Sequence, residues 1–493
     1  MRLHREPDID LHKEIERQPD MEPGKRFEYI FSNSEISALQ RRTWEHMCHV
    51  KINIPEKAQY IIKTIEDAGF EAYAVGGCVR DSILGREPQD WDITTSARPE
   101  QVKALFHRTV DTGLQHGTVT VMLDRTGFEV TTYRVDGKYE DSRHPKEVTF
   151  TPSLEEDLKR RDLTINAMAY NDKQGLVDIF GGLEDIAEKR VRCVGNPESR
   201  FQEDALRILR AIRFSAQLGY AIEEETREAI EALAPTLSRI SAERIQAELV
   251  KLLTSPNPDY LRVAYETGVT RVFLPELDRA METPQKHPHH CYGVGEHILQ
   301  SLKAVRADKV LRLAMLFHDI GKPGAMTVDG EGITHFHGHA QLGADMAKEI
   351  MLRLRFDNDT LNKVCRLVLY HDYFNGLSPD MRAVRRAVNK IGEDIFPMLL
   401  EVARADIMAQ SGYFRQEKLD NVDGWQQHFG QIQEEKQCIS LKSLAVTGSD
   451  LIAAGWKPGR EMGEILQRLL ELVLERPECN VKEYLLAEAE KYR

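Results

Sequence analysis

The chain has 493 residues, more than one hydrophobic core usually organises, so three or more domains are expected. A formal net charge of -13 excludes a protein that coats nucleic acid indiscriminately, because such proteins are basic overall, although a local basic surface stays open. Seven scattered cysteines with no C-x-x-C spacing exclude a disulfide framework and a structural zinc knuckle, and they suit a reducing cytoplasm.

Residues 1–50 are rich in charge, poor in periodic apolar positions and without an apolar leader-like run, so they read as an extension. From Pro55 the sequence PEKAQYIIKTIEDAGF has helical spacing and stops at Gly69; EAYAVGG follows as a short apolar strand. DWDIT reads as a second strand, residues 99–107 as a helix, and TVTVMLD and GFEVTTYRV as two alternating strands around Thr126 and Gly127. The stretch DGKYEDSRHPKEVTF is polar and reads as a mobile loop. Beyond Ser153 the periodicity is helical, apart from a hairpin over residues 171–182. Breaks at ETPQKHPHH and at the polar segment 421–436 divide that body. The expected class is α+β, a small mixed-sheet domain followed by mostly helical ones, with divisions 1–50, 51–196, 197–281, 282–420 and 421–493. No run is long enough to cross a bilayer, so a soluble cytoplasmic protein with no membrane contact is expected, and no obligatory protein partner is evident.

Chemistry concentrates between Val75 and Thr95. Asp90 and Asp92 are two residues apart, so on an extended strand both face one side and can share divalent cations; hard oxygen ligands favour Mg2+. Such a pair activates an attacking hydroxyl and steadies a leaving pyrophosphate. Glu129, alternating outward in FEVTTYR, is the candidate third carboxylate. Gly76 and Gly77 let the backbone approach phosphates, with Arg80 to neutralise charge and Asp81 to brace the turn. Taken singly, a glycine pair is more often only a turn, and D-x-D recurs by chance in an acidic chain. Their succession from strand to helix to strand carries the reading.

GGCVRD followed by DWD resembles the signature of the class II tRNA nucleotidyltransferases, a group within the DNA polymerase β superfamily that includes CCA-adding enzymes and bacterial poly(A) polymerases. RRDLTINAMAY, GGLEDI, EDALRILRAIRF and SAERIQAELVKLL continue the likeness in order, from about residue 51 onward. The resemblance implies a nucleotidyltransferase head over 51–196 and a base-selecting neck over 197–281. It also implies that Arg161, Asp162 and Asn166 contact sugar and phosphate, and that Asp204 and Arg207 act as an amino-acid template. The chemistry of that last pair is direct. Cytosine and adenine both offer an exocyclic amine beside an unprotonated ring nitrogen, so one carboxylate acceptor and one guanidinium donor admit C and A and refuse U and G. Spacing alone equally suits a solvated ion pair on one helix face. Arg210 and Arg213, farther along, suit either phosphate contacts or surface ion pairs.

His297, His318 and Asp319 in MLFHDIGKP, and Asp406 in ARADIMAQ resemble the metal-ligand set of the HD phosphohydrolase module, assigned to 282–420; His339 and His371 would hold a second metal. The divalent metal is not specified, and a degenerate scaffold is the alternative. The last region, 421–493, resembles the family's helical tail, with Lys442, Lys457 and Arg460 as candidate RNA contacts in a basic stripe and Trp456 as a core anchor. The expected activity is template-independent addition of CCA to tRNA from CTP and ATP. Its alternatives are poly(A) synthesis, addition restricted to CC or A, or hydrolysis at RNA ends through the histidine module. The segment 139–144 is the candidate for rearrangement between C and A addition.

Overall fold

The computed structural model describes residues 50–137, 148–286 and 289–492. The extension at 1–49 and the segment 139–144 lie outside the described residues. The chain divides into two compact units, one formed by described residues up to Arg200 and the other from Phe201 onward.

The first unit is built on a seven-stranded mixed sheet. Its strands are β1 (Ala72–Val75), β2 (Ile93–Thr95), β3 (Thr109–Gly113), β4 (Thr118–Leu123), β5 (Thr126–Thr132), β6 (Ala169–Asn171) and β7 (Gly175–Val177), in spatial order β3-β4-β5-β2-β1-β6-β7. The β2/β5 pair is parallel and the other pairs are antiparallel. β1 is central and buried along its whole length, which explains why AYAV is apolar without alternation. Tyr73 and Val75 pack with Tyr133, Leu158 and Ala169 beneath the sheet. Helix Glu56–Asp67 buries Ala58, Ile61, Ile62 and Ile65, the apolar stripe of a 3.6-residue repeat.

Three local expectations change. In DWDITT only Ile93–Thr95 pairs as strand, so Asp90 and Asp92 stand on the approach to β2 rather than within it. The ends of the expected loop, Arg134–Asp136 and Val148–Phe150, pair as a two-stranded ribbon. β3 is a strand that its exposed, polar sequence TVDTG did not announce.

The second unit is helical. Helices Val294–Ala304, Lys309–Phe317, His339–Arg353, Asn358–Tyr370 and Phe396–Ala409 pack together, while Arg415–Glu434 crosses the polar segment expected to be a break. That helix buries Val422, Trp425, Phe429 and Ile432 on one face, and Trp425, fully buried, lies against Phe374 and Phe396. The expected break therefore is not one: wide polar spacing had concealed four core positions at helical intervals. The tail helices Gly448–Ala453, Arg460–Glu475 and Lys482–Glu490 close over a cluster of Leu444, Val446, Leu451, Leu469 and Leu485, with Trp456 packed against it.

Candidate active sites

In the first unit, Gly76 turns the chain from β1 into helix Gly77–Ile83 at φ 80° and ψ -125°. The conformation calls for glycine, and a Cβ there would crowd Nη1 of Arg161 at 3.0 Å. Arg80 is buried behind this turn. It donates through Nε and Nη2 to Asp81, at 2.9 Å each, and through Nη1 to Oδ1 of Asn166 at 2.5 Å. Nδ2 of Asn166 donates to Oδ1 of Asp162 at 3.4 Å, and that same oxygen accepts the Leu163 amide at 2.9 Å. Arg80, Asn166 and Asp162 are thus joined in one buried polar chain beside the Gly76 turn, while Arg161, against that turn, pairs instead with Asp157 at 3.4 Å.

Trp91 is buried while Asp90 and Asp92 on either side are exposed. Ile93 pairs with Val130 in the parallel β2/β5 register, so one residue earlier Asp92 stands beside Glu129. Reduced hydration of Asp92, then Glu129, then Asp90 raise its pKa, against the pull of Arg161. Carboxylates whose mutual repulsion raises a pKa are a donor set that a divalent cation fits.

Asp157 is a residue that motif reasoning missed. Its side chain is fully buried, and it binds Arg160 at 2.7 Å, Arg161 at 3.4 Å and the Thr94 hydroxyl at 3.1 Å. Burial pushes its pKa up, but Arg160 and Arg161 outweigh burial and hold it below the usual range. The only sequence signal was an acidic residue four positions ahead of Arg161.

In the second unit, Asp204 does not share a helix face with Arg207. It precedes helix Leu206–Leu218, where its Oδ1 accepts the Leu206 amide at 3.0 Å, while Arg207 lies in the first turn. Nη2 of Arg244, from helix Ala242–Leu253, reaches Oδ2 of Asp204 at 2.7 Å, and Nη1 of Arg207 reaches Glu203 at 2.6 Å. Arg244 and Glu203 were not singled out as site residues. Arg210 lies 5.6 Å from the Phe214 ring. Arg213 is 6% exposed, bonded to Glu248 at 2.5 Å and stacked 3.8 Å from Phe214, so it serves the helical core rather than a phosphate-facing surface. Lys442, Lys457 and Arg460 are exposed on the tail, with Arg460 paired to Glu464 at 2.9 Å.

The histidine module brings its six candidates together as two adjoining groups, His297, His318 and Asp406, and Asp319, His339 and His371. Gly321 permits this closeness, since a Cβ would fall 2.4 Å from the His339 carbonyl oxygen. Each imidazole directs Nδ1 at a backbone carbonyl: His318 to Met315 at 2.8 Å, His339 to Phe336 at 2.8 Å, His371 to Val368 at 2.7 Å, and His297 to Ala409 at 3.3 Å. A carbonyl only accepts, so Nδ1 keeps the proton and Nε2 turns its lone pair inward. Nε2 of His297 and His318 are 3.1 Å apart, and those of His339 and His371 are 3.2 Å apart. Facing lone pairs repel unless a proton is shared between them or a cation takes both, and the two groups of donors are ones that two divalent ions fit. Asp319 lies between the groups, with Oδ2 at 3.4 and 3.3 Å from His297 and His318 and Oδ1 at 3.5 and 3.6 Å from His339 and His371. Burial disfavours a charge on His371, yet Asp372 and Asp319 push it up to about 9, the same demand for positive charge.

The first unit carries the fold of a nucleotidyltransferase head. Residues 72–192 match the family model described as the poly A polymerase head domain, residues 219–281 the probable RNA and SrmB-binding site of polymerase A, and residues 328–489 the tRNA nucleotidyltransferase domain 2. A CCA-adding enzyme from Leuconostoc mesenteroides is 57% identical over 196 residues, covering 40% of this chain and about half (49%) of that protein. One from Limosilactobacillus reuteri is 34% identical over 441 residues, covering 88% of this chain and 96% of that protein. The crystal structure of the Bacillus stearothermophilus CCA-adding enzyme in complex with CTP is similar with a TM-score of 0.65 and 30% identity, covering 89% of this chain and 97% of that one. The chain belongs to the CCA-adding enzyme family. Among the described residues no helix is long and apolar enough to cross a membrane.

Proposed function

We propose that the chain adds C, C and A to the 3′ end of tRNA from CTP and ATP, in the cytoplasm. The observation that carries this reading is the meeting of Asp92 with Glu129 and Asp90 beside the Gly76 turn, within the matched head. The terminal 3′ oxygen of the tRNA attacks the α-phosphorus; a phosphorus–oxygen bond forms and the bond to pyrophosphate breaks. Asp90 and Asp92, with Glu129 beside them, would hold Mg2+, which supplies charge neutralisation and a more acidic 3′ hydroxyl. Gly76 and Gly77 admit the triphosphate to the backbone, while Arg80 fixes the turn from behind through Asp81 and Asn166. Arg161, Asp162 and Asn166 orient the sugar and phosphates.

Asp204 and Arg207 select the base, one accepting from the amine and the other donating to the ring nitrogen, and Arg244 and Glu203 hold them in aim. Lys442, Lys457 and Arg460 meet the tRNA at the tail. Incubating the protein with tRNA ending before CCA, Mg2+ and single labelled nucleotides tests the reading. CTP should be incorporated first and ATP once; homopolymer growth from ATP alone would replace it with poly(A) synthesis.

The inward lone pairs of His297, His318, His339 and His371 support a second activity, hydrolysis of a phosphoester by the histidine module with Asp319 and Asp406 as further ligands. Two divalent ions there would supply a nucleophilic hydroxide and charge neutralisation for the leaving oxygen. Metal analysis of the purified protein tests this directly, and an Asp406→Ala variant retaining the full metal content would count against it.

A further inference from the structure

We propose that Gln410 and Lys418 act together as positioning residues of the histidine module, turning Asp406 so that one of its two oxygens is kept for the ion at His297 and His318. This goes beyond the ligand set and rests on the module holding that ion. Asp406 lies near the end of helix Phe396–Ala409, and Gln410 is the residue at which that helix stops. Four positions separate them, so the two side chains stand one turn apart on one face, and both are buried.

The two oxygens of Asp406 have different company. Oδ1 lies 2.8 Å from Nε2 of His297 and 3.8 Å from Nε2 of His318, among the donors of the first metal group. Oδ2 accepts a hydrogen bond from Nε2 of Gln410 at 3.0 Å. A carboxylate with one oxygen tied in this way offers the other alone, in a fixed direction.

The end of the Gln410 amide that faces Asp406 is set from its far side. Lys418, one turn into helix Arg415–Glu434, donates to Oε1 of Gln410 at 2.6 Å and to Nδ1 of His289 at 3.3 Å. An ammonium only donates, so it takes the amide oxygen and leaves the amide nitrogen for Asp406; a nitrogen donor is what an ionised carboxylate requires. The main chain is anchored as well. The Gln410 carbonyl accepts from Arg415, and the preceding Ala409 carbonyl receives Nδ1 of His297 at 3.3 Å. One short segment therefore orients Asp406 through a side chain and His297 through the backbone.

The test uses the full chain carrying Asp90→Asn and Asp92→Asn, which removes the head carboxylates, stripped by chelation and titrated calorimetrically with Mn2+. The binding phase that Asp406→Ala abolishes marks the ion concerned. Gln410→Ala should weaken that phase about tenfold and leave unchanged any phase that Asp406→Ala spares. Gln410→Glu keeps the reach but replaces the donor with a second carboxylate, so it should not restore binding. Lys418→Met should weaken the same phase by itself and add nothing to Gln410→Ala, since it acts only through the amide. Parent-like Mn2+ binding by Gln410→Ala, or a Lys418→Met loss that persists in full beside it, overturns the positioning role. With the head carboxylates left in place, Gln410→Ala should incorporate CTP at the parent rate; a fall there would mean a general loss of packing and overturns the role too. A parent titration that Asp406→Ala does not alter overturns the metal reading instead, so the two failures are distinct.

Discussion

Asp92 faces Glu129 because β2 and β5 run parallel with Ile93 opposite Val130, so the crowding of negative charge follows from strand register. Replacing Asp92 with Asn keeps the shape and removes the charge. CTP incorporation should fall about a thousandfold, the rate equivalent of several kcal/mol of charge stabilisation, with the head still folded by circular dichroism. At the neck, Arg207→Lys keeps a positive charge but loses the planar donor fork, so selection for CTP over UTP should fall about a hundredfold in single-nucleotide competition. The D-x-D alternation around buried Trp91 was legible because period-two facing needs only extended backbone. The geometry of Asp204 was not, since three-residue spacing fits both a helix face and a residue standing before the helix. Arg244 was hidden for a different reason: its partner lies forty positions away in sequence.

At the scale of elements, two buried charges join pieces whose sequences look unremarkable. Asp157 ties helix Leu154–Lys159 to β2 through Thr94, and its depressed pKa makes its contribution fully present above the unfolded carboxylate value and lost as pH falls through the lower folded value. Asp157→Asn should therefore destabilise the head by about 3–5 kcal/mol at neutral pH, and the gap to the parent should narrow as the medium is acidified. Hydrogen exchange of β1 and β2 amides against pH measures it. In the second unit Arg385 is buried and donates to the Leu474 and Glu475 carbonyls at 2.7 and 3.3 Å, capping the C-terminus of helix Arg460–Glu475. Arg385→Met leaves those carbonyls without their charged donor, a loss of about 2 kcal/mol, so tail amides should exchange faster while those of Lys309–Phe317 stay protected. Long periodic helices and the apolar β1 were readable from spacing; the exposed β3 and the helix through 421 were not, because their sequences show few apolar positions until a partner surface is known.

Among the described residues, metal-suited groups of opposite chemical character stand in the two units, carboxylates beside a sheet in the first and imidazoles with carboxylates within a helical bundle in the second. Carboxylate oxygens suit Mg2+, whereas nitrogen donors raise affinity for transition metals, so the two should respond to different chelation. A chelator selective for transition metals over Mg2+ should strip the histidine module and leave CCA addition in Mg2+ intact. The paired variants sharpen the separation: Asp90→Asn with Asp92→Asn should abolish nucleotide incorporation while the histidine module keeps its metal, and Asp406→Asn should lower the bound metal while incorporation continues. Loss of both properties in either variant would mean that the sites depend on one another. In that case the assignment of nucleotide transfer to the head alone would fail.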